Sequence, residues 1–184
     1  MKKRTVALLM AAVLLFGAAV GGTFAYLTAQ TDSLVNTFTA GNVQITLEET
    51  GAVNNAKSFK MIPGEDLVKD PTLTVLAGSE DCYLFVDVTA SADAADYISY
   101  AMADGWTNLS GNIWYRPLVS ASAEDQEFAV LKGNKVTVLD DVTSTMMEAV
   151  TASTKTVTLT VKGYAVQSEG FASAADAWDA TFGA

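Results

Sequence analysis

The chain contains no histidine, one cysteine and three prolines in 184 residues, and only 11 basic residues stand against 21 acidic ones. Without imidazole there can be no Ser-His-Asp or Cys-His nucleophile, no HExxH zinc site and no histidine base. A single cysteine cannot form an internal disulfide or a thiolate metal cluster. The shortage of cations removes the basic surface that neutralises phosphates or docks onto anionic lipid, so nucleic acid and charged membrane surfaces are not expected partners. Three of the basic residues, Lys2, Lys3 and Arg4, precede a stretch from Thr5 to Thr31 with no charge at all. Every acid lies from Asp32 onward, so the chain beyond Arg4 sets eight basic residues against 21 acidic ones, a net charge of −13.

Lys2-Lys3-Arg4 reads as the positive start of an export signal, and residues 5–20, rich in Ala, Leu and Val, as its apolar segment. Gly21-Gly22 breaks that segment, and Thr23-Phe24-Ala25 places small residues where a signal peptidase wants them. We therefore expect a signal peptide over residues 1–25, a cut between Ala25 and Tyr26, and a secreted protein that meets the membrane only through this peptide before cleavage. An uncleaved anchor competes, because the uncharged run exceeds the ~20 residues that span a bilayer. Its Ala, Gly and Thr content and its polar tail over residues 27–31 favour cleavage. The carboxyl end, Phe182-Gly-Ala, carries no hydrophobic tail and no wall-sorting motif, so no covalent attachment is expected. The 159 residues from Tyr26 onward have no disulfide and must be held by their core. A chain of this size buries about 68–70% of its unfolded surface, which suffices. Cys82, in Asp-Cys-Tyr-Leu-Phe-Val, reads as a small buried hydrophobe, with no neighbouring cation to activate it.

The mature chain reads as strands separated by turns. Val43-Gln-Ile45-Thr-Leu47-Glu alternates apolar and polar residues, as a half-buried strand does, and Leu73-Thr-Val75 and Val136-Thr-Val138 repeat the pattern. Cys82 to Val88 is apolar on both faces, which predicts a central strand covered on both sides. Val157-Thr-Leu159-Thr-Val161 is the clearest alternation, with its threonines outward. Gly163 then interrupts it and predicts a β-bulge before Tyr164-Ala-Val166. Pro63-Gly64, Asp104-Gly105, Gly111-Asn112 and Gly133-Asn134 mark turns. Short helices are expected within residues 92–97 and over 172–180, while 144–150 reads as short helix or loop. Together these predict one all-β domain over residues 42–184, an antiparallel β-sandwich with a few short helices.

No cofactor is expected. Glu80-Asp81, Asp140-Asp141, Glu65, Asp66 and Asp70 supply oxygen ligands of the kind calcium takes, but none has the spacing of a compact calcium loop, and solvated loop acids are the simpler reading. A carboxylate pair for glycoside hydrolysis is permitted by the composition, yet nothing selects a pair. Trp106, Trp114 and Tyr115 surround an expected hairpin and could stack on sugar rings; aromatics of a sandwich are more often core. Asn108-Leu-Ser110 matches a glycosylation sequon, incidental beside a bacterial-looking export signal. Residues 27–40 are Thr-rich, hold Leu27, Leu34, Val35 and Phe38, and carry only Asp32 as a charge. They read either as an ordinary first strand or as a strand, freed by signal cleavage, that pairs with the edge of another copy. The residues alone favour the first.

The start of the chain, Gly21-Gly-Thr-Phe-Ala-Tyr-Leu-Thr-Ala followed by Asn36-Thr-Phe38-Thr-Ala-Gly41-Asn-Val-Gln-Ile45, resembles the SipW-type signal peptide and first strand of the TasA/camelysin family. Met61-Ile-Pro63-Gly64-Glu with Lys69-Asp70-Pro71 is similar to that family's turn after its second strand. Lys162-Gly-Tyr164-Ala-Val166-Gln167, Gly170-Phe171 and Ala177-Trp178 are similar to its closing strand and cap. The resemblance implies a jelly-roll β-sandwich secreted by Gram-positive bacteria and cut by a dedicated signal peptidase, after Ala25 or after Tyr26. It also implies extracellular biofilm-matrix fibres in which residues 26–41 of one subunit complete a neighbour's sheet, with other copies or related fibre subunits as partners. Camelysin-like members carry a metallopeptidase label, from which this chain departs by lacking histidine and a zinc-ligand cluster. The expectation is a non-enzymatic fibre protein of the matrix or cell surface; an adhesin or carbohydrate-binding module is the alternative, and a camelysin-like metallopeptidase comes third.

Overall fold

The computed structural model describes residues 42–53 and 57–183. The expected cleavage site at Ala25 and Tyr26 and the segment 26–41, with Leu27, Leu34, Val35 and Phe38, lie outside the described residues. Ten strands run in the order β1 (Ile45–Glu48), β2 (Asp66–Val68), β3 (Thr72–Val75), β4 (Cys82–Ala90), β5 (Ile98–Ser99), β6 (Thr107–Ser110), β7 (Ile113–Val119), β8 (Gln126–Ala129), β9 (Lys135–Val138) and β10 (Leu159–Gln167). Two helices, α1 (Ser144–Thr151) and α2 (Ala174–Phe182), precede and follow β10. All pairings between these strands are antiparallel. The result is the expected all-β sandwich.

One layer is a four-stranded sheet ordered β10-β4-β7-β6, and the other is built from two three-stranded sheets, β1-β3-β8 and β2-β9-β5. Those two are halves of one bent ribbon. Val130 N–H donates to Pro71 C=O and Lys69 N–H to Asn134 C=O, so the β3/β8 ladder continues into β2/β9. The bend falls where Pro71 has no N–H to give and Gly133 and Asn134 adopt left-handed φ of 65° and 54°.

β4 is the central strand that its apolar run, interrupted only by Asp87, predicted. Cys82, Leu84, Val86 and Val88 face the ribbon and join Leu73, Val75 and Leu131 in the main core, while Phe85 faces the other way, into a second cluster under α2. Cys82 is fully buried, and desolvation pushes its thiol up to about 11, so it packs as a hydrophobe. The second cluster is aromatic: Trp178 of α2 stacks at 5.1 Å on Phe85 and edge-on at 5.4 Å against Tyr164. The helix starts at Ser173, whose side chain accepts from Asp176 N–H. Thr143 caps α1 in the same way through Met146 N–H, which settles residues 144–150 as helix. Residues 92–97 form only a single 3-10 turn at Ala94–Asp96.

Gly163 is not a bulge. β10 and β4 pair without a break, Gly163 opposite Val86. Leu159, Val161 and Ala165 face the main core while Tyr164 and Val166 face α2, so a regular strand changes its apparent pattern because its second face becomes covered. Glycine is required for another reason: a Cβ at this position would meet the Cδ1 of fully buried Leu73 across the sandwich. The irregular pairing lies instead where β7 opposes Cys82–Leu84, at Pro117, which cannot donate to the ladder. β10 also begins later than the alternation suggested, because Thr156 and Thr158 N–H groups donate to the side chains of Asp93 and Ser91 rather than to a strand. Gly163→Val is expected to lower stability by about 1–3 kcal/mol through overpacking against Leu73, measured by thermal unfolding; an unchanged melt would mean that Leu73 repacks freely.

Candidate functional site

The two long sides of the sandwich are finished differently. On one side β8 lies against β7, and the seam is filled. Trp106 is 8% exposed and its indole N–H donates to Ala129 C=O at 2.8 Å. The Arg116 guanidinium lies 5.4 Å from the Trp106 ring and 4.7 Å from that of Phe128, and donates to Asp104 C=O at 3.1 Å. A cation stacked on two rings and an indole tied to the strand backbone fill the space between the layers here, although β6 and β8 each end their sheet.

On the other side β1 runs beside β10, and the seam is open. Among the described residues β1 pairs only with β3 and β10 only with β4. Each therefore turns one row of main-chain donors and acceptors outward, the nine-residue β10 offering the longer one. Between them lies a groove of about 1120 Å³. Leu47, Leu67, Ile98, Val136, Leu159 and Val161 form part of its lining, and Gly163 keeps its floor low.

Another part of the lining is charged. Lys69 donates to Glu49 Oε2 at 2.8 Å, with both side chains more than four-fifths buried. Lys57 lies nearby, donating to Thr50 C=O at 2.8 Å and Val68 C=O at 3.1 Å, and both ammonium groups sit over the Phe59 ring, at 5.1 and 5.8 Å. Glu49 Oε1 is buried without a hydrogen-bond partner among the described residues, with Lys57 at 3.9 Å. Asp70 accepts from Thr50 N–H, which holds its carboxyl below the ordinary value.

The aromatic residues singled out in the sequence do not share a face. Trp106 is core, Trp114 packs on the main core, and Tyr115, its neighbour on β7, packs on the opposite side with the α2 cluster. Of the acidic residues considered for calcium, three are tied up locally: Asp66 accepts from Lys135 and Thr137, Asp70 from Thr50 N–H and Asp81 from Ala121 N–H. Among the described residues no group of three or more His, Cys, Asp or Glu side chains is placed to hold a metal ion, and no helix is long and apolar enough to cross a membrane. The groove escaped the sequence because its walls come from segments more than a hundred residues apart, and neither Lys57 nor Phe59 stands in a recognisable local motif.

A family model described as camelysin metallo-endopeptidase matches residues 1–96, just over half of the 184-residue chain. No curated protein and no solved structure matches it. The family's description implies a metal ion, and among the described residues no set of donors is placed to fit one. There is no histidine, the only thiol is buried and protonated, and residues 1–41 contribute a single carboxylate, Asp32. Three of the remaining carboxylates, Glu49, Asp66 and Asp93, are already bound to lysines.

Proposed function

The chain belongs to the camelysin family, a family of surface and extracellular proteins, and from that premise we propose that it is an exported, non-enzymatic structural subunit. Residues 26–41 of one copy add as a strand to the open groove of the next, and repetition builds an extracellular fibre. The observation that supports this reading is the asymmetry of the sandwich. One seam is plugged by Trp106, Phe128 and Arg116, while the other combines two strand edges unpaired among the described residues with a partly apolar groove between them. An added strand satisfies those main-chain groups and covers the apolar lining, and main-chain pairing gives affinity while alternate side chains give specificity. The acidic surface keeps unassembled subunits apart. A sugar-binding platform has no comparable support, since Trp106 and Trp114 are turned to the main core and Tyr115 to the cluster under α2.

The test is negative-stain electron microscopy of two purified chains at high protein concentration, one beginning at Tyr26 and one at Gly41. Fibres are expected from the first and monomers from the second. Monomers from both would overturn self-assembly and turn attention to a binding module; fibres from both would overturn the role of residues 26–41.

A further inference from the structure

Building on the strand-addition reading, we infer that Asp32 of the incoming segment pairs with Lys57 in the receiving groove and thereby sets the register in which the strand is held. The groove is lined by three lysines, Lys57, Lys69 and Lys162, against two glutamates, Glu48 and Glu49, a surplus of one positive charge in a mature chain of net −13. Asp70, outside the lining, is near enough for the Lys57 charge to help hold its carboxyl below the ordinary value. The segment that would fill the groove carries one charged side chain, Asp32, and it is negative; the other charge is the α-amino group at Tyr26, six residues earlier.

Lys162 lies exposed on β10, and of the two inner lysines Lys57 is the one with no carboxylate at hydrogen-bond distance among the described residues. An ammonium has three N–H donors, and two of them are taken by the carbonyls of Thr50 and Val68. Among the described residues the third has only Glu49 Oε1, at 3.9 Å and beyond hydrogen-bond reach. Lys69, by contrast, is bound to Glu49 at 2.8 Å. Lys57 lies over the Phe59 ring with its side chain 22% exposed, so a carboxylate reaching it is partly shielded from water and makes a charge-assisted hydrogen bond. The side-chain pattern of the segment agrees. In an extended strand alternate residues share a face, so Asp32 lies on the same face as Leu34 and Phe38. One face would then present Asp32, Leu34, Asn36 and Phe38 in turn, a carboxylate followed by two large apolar groups with an amide between them, to a groove that has both a charged part and an apolar part, while Leu27 and Val35 take the other face. A one-residue slip would turn Leu34 and Phe38 out to solvent and separate Asp32 from Lys57.

The experiment measures the critical concentration for fibre formation, by light scattering and microscopy, for the chain beginning at Tyr26 and its Asp32→Lys, Lys57→Glu and doubly substituted forms. Each single change is expected to raise the critical concentration about tenfold, and the double, which restores opposite charges at every junction, to return it to within about threefold of the parent. Circular dichroism of each monomer reports folding. Should Lys57→Glu fail to fold, a synthetic peptide of residues 26–41 is tested as a competitor of parent assembly; the Asp32→Asn peptide is expected to need about fivefold more to inhibit equally. Parent-like assembly of Asp32→Lys, equal potency of the two peptides, or a double variant no better than the worse single would overturn the pairing while leaving strand addition standing. Absence of fibres from the parent would overturn both.

Discussion

Trp106→Ala is expected to lower the melting temperature by roughly 10 °C, since truncating a buried tryptophan removes about 3–5 kcal/mol and each kcal/mol moves a chain of this size by about 2–4 °C. Three losses combine. The indole fills the seam between β7 and β8 within the main core. Its N–H satisfies Ala129 C=O, which would be left without that donor. Its ring is also one of the two on which Arg116 rests, so the guanidinium, already desolvated enough for its pKa to be lowered, loses half of its support. Trp106→Phe keeps a ring and should recover much of the loss. Thermal unfolding by circular dichroism checks both variants. A surface platform for sugars would behave otherwise, because exposed substitutions fall within about 0.5 kcal/mol of neutral. A melt unchanged in Trp106→Ala would make this residue a ligand-binding candidate again.

The second large effect concerns assembly. Fibre growth from the chain beginning at Tyr26 is expected to accelerate about tenfold or more between pH 7 and pH 4.5 at low salt, and by a similar factor on raising salt to about 0.5 M at pH 7. Subunits carrying −13 repel one another. At pH 4.5 roughly a quarter to a third of ordinary carboxylates are protonated, which removes a large part of that charge. The fold withstands this range. Asp66, held down by hydrogen bonds from Lys135 and Thr137, Asp70 by Thr50, and Asp93 by Lys155 and Thr156, all have lowered pKa values. A carboxylate with a depressed folded pKa contributes its stability above the unfolded value, near 4 for aspartate, and loses it as the pH falls through the lower folded value. The loss therefore begins below pH 4, beneath the window in which repulsion has already weakened. Growth measured by light scattering with no dependence on either variable would show that charge repulsion does not limit assembly.

The legible part of the fold is its strands and turns. Each of the four glycine-containing turns forms where its dipeptide stands, because positive φ is a local demand that glycine meets wherever the chain must reverse. β4 was readable as central from its own residues, since a strand buried on both faces cannot carry unpaired polar side chains on either. Gly163 shows where local reading stops. A glycine within an alternating strand carries one signature for two causes, a bulge or a close approach, and only Leu73, ninety residues earlier in the chain, distinguishes them. The tryptophan near the Asp104-Gly105 turn has the same ambiguity, for a large aromatic beside a hairpin can face solvent or core, and Ala129 on a distant strand decides.

The amino-acid sequence by itself determined the class of the protein: a chain with an export-type start, no histidine, no disulfide and a strongly acidic remainder, built from strands. Composition and short-range periodicity suffice for that, because chemistry needs its residues present and strands need their alternation. The tertiary structure alone decided which edge of the sandwich is closed and which is open. Closing depends on Trp106, Arg116 and Phe128 meeting from three separate segments, and opening on β1 and β10 lying side by side without pairing to each other among the described residues. An unpaired edge is a property of neighbours, and no segment carries in its own residues the identity of the strand that will lie beside it.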